Sequence, residues 1–510
     1  MHKQSFRILT IIVILVFYWS CVEFRNIAPQ EMNSIPRDAK LVVFTKDNNE
    51  IEMRNAAVVG GKLVGVAKDK SKIEIDLASI KSVKIKKTNL VWPIVLGCAA
   101  AGAVGILVAL QQGEATAPSP PPSASCPFIY SFDGEQYVFD AEPYGGAICQ
   151  ALQRSEWCSL ETLKAVNGRY RLLIANELDE AQYTDELKLV LVDHPKGLTV
   201  VPEIMGRMHT ISNPMPPIQA YDQKRRDIVP LIAQKDEQFW ESGLEGRNPD
   251  KKEELRDELI FEFPKPEGAK TTKLVANAWT TLWGSQAAKD LLKLFGNKLP
   301  DWYAEVNNFG PANRDIWNWY LNEGLYVLKI YVETPNGWQA KGMMYGGGPF
   351  ISKDKSYPLD ISDVRGDTLR IKLTPAAGFW RLNYLAVDFT EDLPVRVLEI
   401  GAAEAFSHKG RDERARLSLS RPDHQYLVMP EKGDYAELIF MAPSQDPDQD
   451  RTVFLKAQGY YDIHLEAKGE PQRELIDRIF HEPGLTAQVA AKAYFKSQAE
   501  KTNPSNNRKQ

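Results

Sequence analysis

Seven histidines, five cysteines and 67 acidic residues are the raw material for chemistry in this 510-residue chain. Metal binding by histidine needs two rings converging from one helix face, as HExxH provides. No such pair occurs in the sequence. His194, in Asp193-His194-Pro195 after an apolar run, reads as a structural histidine at a strand end. Asp446, Asp448 and Asp450 alternate as calcium-loop ligands do. Arg451, however, stands where that loop needs glycine, and no glutamate follows at its twelfth position, so a solvated acidic loop is expected. Tyr345-Gly346-Gly347-Gly348-Pro349 is glycine-rich but lacks the Lys-Ser/Thr of a phosphate loop and the GxGxxG of a dinucleotide site. A turn with close backbone packing is expected there. Ser352-Lys353-Asp354-Lys355 spells SxxK without its companion motifs, and no GxSxG elbow is present. Carboxylates such as Glu142 and Asp388 cannot be paired for glycoside cleavage from sequence, because their separation is a three-dimensional property. No catalytic residue, metal ligand or cofactor follows from these patterns. One concentration of side chains stands out: Trp302, Tyr303, Trp317, Trp319 and Tyr320. Exposed, such rings stack on sugars or grip a protein partner, which makes Trp302, Trp317 and Trp319 the candidate binding aromatics. Buried, they form a core between helix and sheet, and that arrangement is favoured.

The elements around these residues follow from composition and pattern. The length implies more than one core, with three domains as the starting expectation. Apolar content of 44% and charged content of 25% are those of globular protein, and a net charge of −5 speaks against a nucleic-acid partner. An aromatic share of 10%, with 11 Trp, suits large β-domains. Cys126, Cys149 and Cys158 form an odd trio that fits neither a disulfide framework nor a paired zinc site. Three buried or half-buried thiols are expected, with one disulfide plus one free thiol as the alternative.

The chain opens with His2, Lys3 and Arg7, followed by an uncharged run from Ile8 to Ser20 and then Cys21. At about 1.5 Å per residue this run reaches only about 20 Å, short of a bilayer core of roughly 30 Å. A cleaved or lipid-modified segment therefore fits better than a span. Ser20-Cys21 after an apolar run resembles the end of a bacterial lipoprotein signal, and that resemblance implies diacylation of Cys21. Tyr18 and Trp19 depart from the pattern, where leucine and a small residue are usual, so an uncleaved anchor is the alternative. Leu90 to Leu110 is uncharged and long enough to span. It has small faces at Gly97, Ala101, Gly102 and Gly105, and Trp92 near one end. A transmembrane helix over 90–110 is expected. The two segments conflict. Positive charge at Lys84, Lys86 and Lys87 would keep the preceding residues inside, whereas lipidation at Cys21 would put them outside. The bulk of the chain is expected outside the cytoplasm in either case.

Residues 38–88 read as short strands with Asn/Asp/Gly punctuation. In pattern this stretch resembles an SH3-like or Sm-like small barrel, a module that docks a neighbour or serves as a spacer. Residues 111–125, ending in Pro/Ser/Ala-rich sequence, form a semi-stiff linker. Beyond it, Phe128, Tyr130 and Phe132 alternate, Asp133-Gly134 signals a two-residue hairpin turn, and Tyr137 and Phe139 alternate back. The segment Cys126 to Ala147, Asp193-His194-Pro195, and Arg451 to Tyr461 with Gly459-Tyr460-Tyr461 resemble recurrent elements of uncharacterised bacterial envelope proteins. That likeness implies a location and no activity. Strands are expected over Tyr170–Ala175, Leu187–Val192, Val395–Ile400, Leu438–Met441 and Val453–Lys456. A hairpin is expected over Leu325–Val332 and Trp338–Met344, and a strand pair over Leu369–Leu373 and Trp380–Phe389. Ser285 can cap a helix over Gln286–Phe295 that Gly296 stops. Lys251–Asp257 is a candidate short charged helix, and Leu485–Lys496 has helical spacing. Gly366 to Phe389 is similar to the closing strands of galactose-binding-like jelly rolls.

The expected fold is therefore mainly β with minor α. A signal or anchor (1–21) precedes the small SH3-like barrel (38–88), the transmembrane helix (90–110) and the linker (111–125). A β-rich domain with helical insertions (126–320), a β-sandwich or jelly-roll-like domain (321–480), and a C-terminal helix with a disordered tail (481–510) complete it. The expected function is that of a membrane-anchored envelope protein binding protein or glycan, with membrane lipid as one partner. A hydrolase acting on envelope polysaccharide is the alternative.

Overall fold

Alternating apolar residues can bury one face of a strand while the other stays wet, and this rule organises the first unit. The computed structural model describes residues 22–27, 40–46, 50–59, 62–67, 71–76, 79–88, 127–308, 311–466 and 468–502. Cys21, Cys126, the apolar run Leu90–Leu110 and the linker up to Ser125 lie outside them. Among the described residues, no helix is long and apolar enough to cross a membrane. The chain divides into two units, Met1–Gly113 and Glu114–Gln510.

In the first unit six strands form one antiparallel sheet in the order β1 (Val22–Ile27), β6 (Ile80–Thr88), β2 (Lys40–Thr45), β3 (Glu50–Val59), β4 (Lys62–Val66) and β5 (Lys72–Asp76). Val43, Met53, Leu63 and Ile75, one from each of β2 to β5, are buried. Leu63 and Ile75 face each other across the ladder. The strands expected over 40–88 are present, and β1 adds an edge beside β6.

The second unit is also mainly β. Over the described chain strand exceeds helix, 43% to 20%. One sheet runs β25 (Gly410–Arg411), β24 (Glu404–Ser407), β27 (Tyr435–Met441), β10 (Arg169–Ala175), β7 (Phe128–Phe132) and β8 (Tyr137–Ala141). A second runs β23 (Arg396–Gly401), β11 (Glu180–Pro195), β28 (Gln449–Ile463) and β9 (Arg154–Ser159), with β26 (Leu427–Met429) also pairing on β11. A ribbon joins β12 (Thr199–Pro202) to β13 (Met208–Ile211). Two further sheets follow. One is β14 (Gln219–Tyr221), β16 (Leu259–Pro264), β21 (Thr368–Leu373), β18 (Val327–Thr334) and β19 (Gly337–Tyr345). The other is β15 (Trp240–Glu241), β22 (Trp380–Asp388), β17 (Thr271–Thr280) and β20 (Lys353–Asp360). The strand pairings among the described residues are antiparallel, and one apolar core threads these sheets, from Leu189 and Leu455 to Phe261, Ile371 and Trp380. β11 is buried on both faces along most of its length; Leu189–Val192 reads as a continuous apolar run for that reason, and the strand also buries polar residues from Glu180 to Glu186.

Several expectations are corrected. Strands from 126–320 and from 321–480 pair within the same sheets, as β16 does with β21 and β17 with β22, so the two stretches fold together. Leu369–Leu373 and Trp380–Phe389 are not a strand pair: β21 and β22 belong to different sheets, and the intervening Pro375–Gly378 carries the chain between them. The turn after β7 spans four residues rather than two. The Asp133 carboxylate accepts the Glu135 and Gln136 amides, each at 2.8 Å, and this local bond outcompetes the tighter turn. The helix expected from Ser285 begins earlier, at Leu282–Leu292, capped by Thr281, whose hydroxyl accepts the Gly284 amide at 3.2 Å. The charged segment forms only a 3₁₀ turn, Lys252–Leu255, and the C-terminal helix runs from Leu485 to Thr502. Helices Leu299–Val306, Pro311–Glu323 and Arg473–His481 add to these, and Val229–Ile232 and Glu413–Ser418 are short helices between strands.

Candidate functional site

Two polar constellations stand out in the large unit, and their burial separates them. The first is sealed. Glu156 on β9 accepts the Lys353 ammonium at 2.7 Å and the Tyr144 amide at 2.7 Å. Arg154 lies 4.0 Å from it. Lys355 donates to the Trp157 carbonyl. Glu142 accepts the Phe350 and Ile351 amides, each at 2.8 Å. Burial alone would raise the Glu156 carboxyl, but Lys353, Lys355 and Arg154 outweigh it and hold the group at about 2. Burial pulls the Lys355 ammonium down in spite of Glu156. Around this hub the two glycine-rich segments meet: Arg154 donates to the carbonyls of both Gly145 and Gly346. Tyr461 closes the assembly, its amide donating to the Ala147 carbonyl at 2.9 Å and its hydroxyl accepting the Gly146 amide at 2.8 Å. Apart from Nε and Nη1 of Arg154, which are buried without a hydrogen-bond partner among the described residues, the charges face one another and backbone, so the hub is a structural fastening.

The second constellation is half open at Tyr183 and Tyr426, while its third ring, Tyr460, is buried. The register of β11 against β28 places Tyr183 opposite Tyr460. Their rings stack 4.6 Å apart and 7° from parallel. Tyr426 meets both edge-on, at 6.0 and 5.5 Å. Its hydroxyl donates to Gln153 Oε1 at 2.7 Å and accepts from Gln150 Nε2 at 3.1 Å. The loop carrying Tyr426 is held by Asp185. Asp185 is the extra residue of a β-bulge between Thr184 and Glu186, and a bulge re-aims the side chain it carries. Its fully buried carboxylate accepts the His424 amide at 2.7 Å, the Asp423 amide at 3.2 Å and Gln153 Nε2 at 3.1 Å. His424 adopts a left-handed φ of 62° under this clamp. Burial raises the Asp185 carboxyl against these bonds.

Asp462 lies two residues beyond Tyr460, on the same strand face. Asn307 donates to its two oxygens, each at 3.4 Å, and accepts the Gln150 amide at 2.8 Å. Burial pushes the Asp462 carboxyl up to about 6, with Asn307 and His464 opposing. An acid whose folded value is raised favours folding fully below its unfolded value, near 3.9, and loses that contribution as pH rises through about 6. The Asp462→Asn variant is therefore expected to gain on the order of 2 kcal/mol over the wild type at pH 8 relative to pH 4. Urea melts at the two pH values check this, and equal differences would refute it.

Of the aromatics singled out in the sequence, Tyr303 reaches this constellation, its hydroxyl accepting the Ile463 amide at 3.1 Å beside Asp462, whereas the three tryptophans sit elsewhere. Trp319 is buried and donates to the Thr486 hydroxyl at 3.0 Å. Trp302 packs 4.7 Å from Phe295, and Trp317 meets Tyr320 edge-on at 5.9 Å; both are half-buried against the main core. Trp302 and Trp319 line a small apolar cavity of about 40 Å³ with Ile316 and Phe480. His194 is satisfied by the Pro195 carbonyl and the Thr452 hydroxyl. Asp446 and Asp450 accept backbone amides, and among the described residues no cluster of three or more metal-capable side chains occurs. Cys149 and Cys158 are buried free thiols, and burial pushes Cys149 up to about 12. Sequence reasoning missed Tyr183, Tyr426, Asp185 and Asp462. The available signal was the alternation Tyr460, Asp462, His464 within a segment already marked at Gly459-Tyr460-Tyr461.

No family model and no curated protein matches the chain. Among solved structures, it is similar to one described as the triple jelly-roll fold and turret assembly in an archaeal virus. That match has 9% identity over 68% of this chain and 98% of the other, with a TM-score of 0.13. Another is the T=1 particle derived from infectious bursal virus, at 7% identity over 94% and 84%, also with a TM-score of 0.13. Scores this low carry no argument about fold or function.

Proposed function

We propose that this is a membrane-anchored cell-envelope protein whose large β unit faces away from the cytoplasm and binds glycan at the Tyr183–Tyr426–Tyr460 patch. On this reading the small sheet is an SH3-like docking or spacing module, and the large unit is related to sandwich and jelly-roll architectures. The observation that carries the reading is the pair of half-buried rings Tyr183 and Tyr426, backed by the buried Tyr460 and flanked by Gln150, Gln153, Asn307 and Asp462. Aromatic rings contact sugar faces, while amides and a carboxyl accept and donate to hydroxyls. The apolar runs and the proline-rich tether support the anchoring. Hydrolysis is the second reading, favoured by the raised Asp462 carboxyl. It is weakened because Asp185, the other carboxylate of the patch, is fully buried and occupied by backbone amides, whereas glycoside cleavage calls for two accessible carboxyls.

Fractionation and binding test the proposal together. The full chain is expected to sediment with membranes, and deletion of residues 1–112 to release a soluble product. The detergent-extracted full chain is expected to bind purified envelope polysaccharide, and Tyr426→Ala to weaken that binding about tenfold with unchanged circular dichroism. A truncated product that still pellets would sink the anchoring. Binding indifferent to Tyr426 would sink the site. Release of reducing ends that stops in Asp462→Asn would favour hydrolysis.

A further inference from the structure

The Tyr426 ring has a second neighbourhood. Beyond it opens a groove of about 390 Å³, walled by the β24–β25 hairpin, the short helix Glu413–Ser418 and β26, and Tyr426 lines it as well as the tyrosine patch. Two exposed cations, Lys409 and Arg414, stand on its wall. Among the described residues neither side chain has an ion-pair partner, whereas the nearby Arg416 is neutralised by Glu413 at 2.5 Å. The acids of the groove are engaged with backbone. Asp412 caps the helix through the Ala415 amide at 2.9 Å, and Asp434 accepts the Glu431 amide at 2.9 Å. A ligand laid across Tyr426 therefore passes from rings and amides into a recess where two cations without ion-pair partners stand beside two carboxylates whose oxygens are turned to backbone amides.

We infer that the groove receives the anionic substituents of a polysaccharide whose sugar rings rest on the tyrosine patch. The ligand class is thus an acidic glycan, bearing carboxylate or phosphate. This rests on the glycan reading above and narrows it. Two partly exposed charge contacts contribute modestly, about tenfold in affinity together, and the gain is screened by salt.

The test uses the full-length protein in detergent with four probes: a polygalacturonate oligomer, its methyl ester of the same length, a phosphomannan, and phosphatidylglycerol vesicles. The expected result is that an acidic polymer binds about tenfold more tightly than the neutral ester, and that the advantage shrinks as salt rises. Preference for polygalacturonate identifies carboxylate as the anion, and preference for phosphomannan identifies phosphate. The double variant Lys409→Ala, Arg414→Ala is expected to abolish the advantage and leave ester binding unchanged. An ester bound as tightly as the acids, or an acidic preference that survives the double variant, overturns the inference and leaves the glycan reading intact. Vesicles as the only probe held by these two cations would assign the groove to a lipid surface and overturn it as well. Failure of every sugar polymer to bind removes the glycan reading along with it.

Discussion

Replacing Glu156 with Gln, or Lys353 with Met, is expected to destabilise the large unit by about 3–5 kcal/mol, because each leaves the other charge buried without its partner. The two groups are 2.7 Å apart with side chains only 8% and 5% exposed, so water cannot take over the lost contact. Removing both by Glu156→Leu with Lys353→Met is expected to cost less than the sum, since neither member of that ion pair is then left facing an empty partner; the remaining cost is that Arg154 and Lys355 lose their carboxylate. Urea melts of the three variants measure this. Single variants within 1 kcal/mol of the wild type (about fivefold in the folding constant) would show that the hub does not fasten the fold. The pair also sets an acid limit. Burial would raise the Glu156 carboxyl, but the three cations around it hold it near 2. An acid depressed in the folded state stabilises fully above its unfolded value, roughly 4.3, and loses that contribution as pH falls through about 2. The wild type is expected to weaken across that window, and Glu156→Gln to show a flatter profile there.

The second large effect is steric. A methyl at Gly145 would sit 2.5 Å from the Gly348 nitrogen and 2.6 Å from the Gly347 carbonyl carbon. Both obstacles are backbone and cannot rotate aside. A methyl at Gly459 would meet the Tyr144 ring at 2.7 Å and the Tyr183 carbonyl. Tyr144 itself is pinned, with its hydroxyl 2.8 Å from that of Thr184. Gly145→Ala and Gly459→Ala are each expected to cost about 3 kcal/mol, the upper end of ordinary overpacking. Gly401→Ala is the control. Nothing lies within 4 Å of the added carbon there, and a change within about 0.5 kcal/mol is expected. Thermal melts of the three variants decide the matter. Equal midpoints would mean that the two glycine segments are not in contact.

What the sequence shows and what it conceals divide along a physical line. The strands of the first unit and most of those in the second are legible, because alternation and turn residues act over a few neighbours: the strands at Arg169–Ala175 and Val327–Thr334 fall within two residues of their expected starts. The helix cap is misplaced because Thr281 and Ser285 are equally good acceptors in isolation, and packing onto Phe379 and Tyr326 selects the earlier one by bringing Gly284 against both rings. The pairing of strands is not legible. Nothing near Leu369 states that its partner is Phe263 rather than the next strand along. The site is hidden for the same reason. Tyr183, Tyr426 and Tyr460 become neighbours only through the β11–β28 ladder, and Asp185 turns inward only because of a bulge. The glycine segments are legible as close-packed turns, but their mutual contact is not.

That same ladder governs the order of assembly. Glu180 pairs with Ile463 and Pro195 with Gln449, so every residue between β11 and β28 forms a loop that must be closed before the central sheet exists. Closing so long a loop is entropically costly and slow. A growing chain exposes β11, rich in Leu187, Leu189 and Leu191, as an open apolar edge until its last third has been made. During that interval the chain is vulnerable to mispairing with its own kind, and C-terminal truncations within β28 leave it in that condition for good.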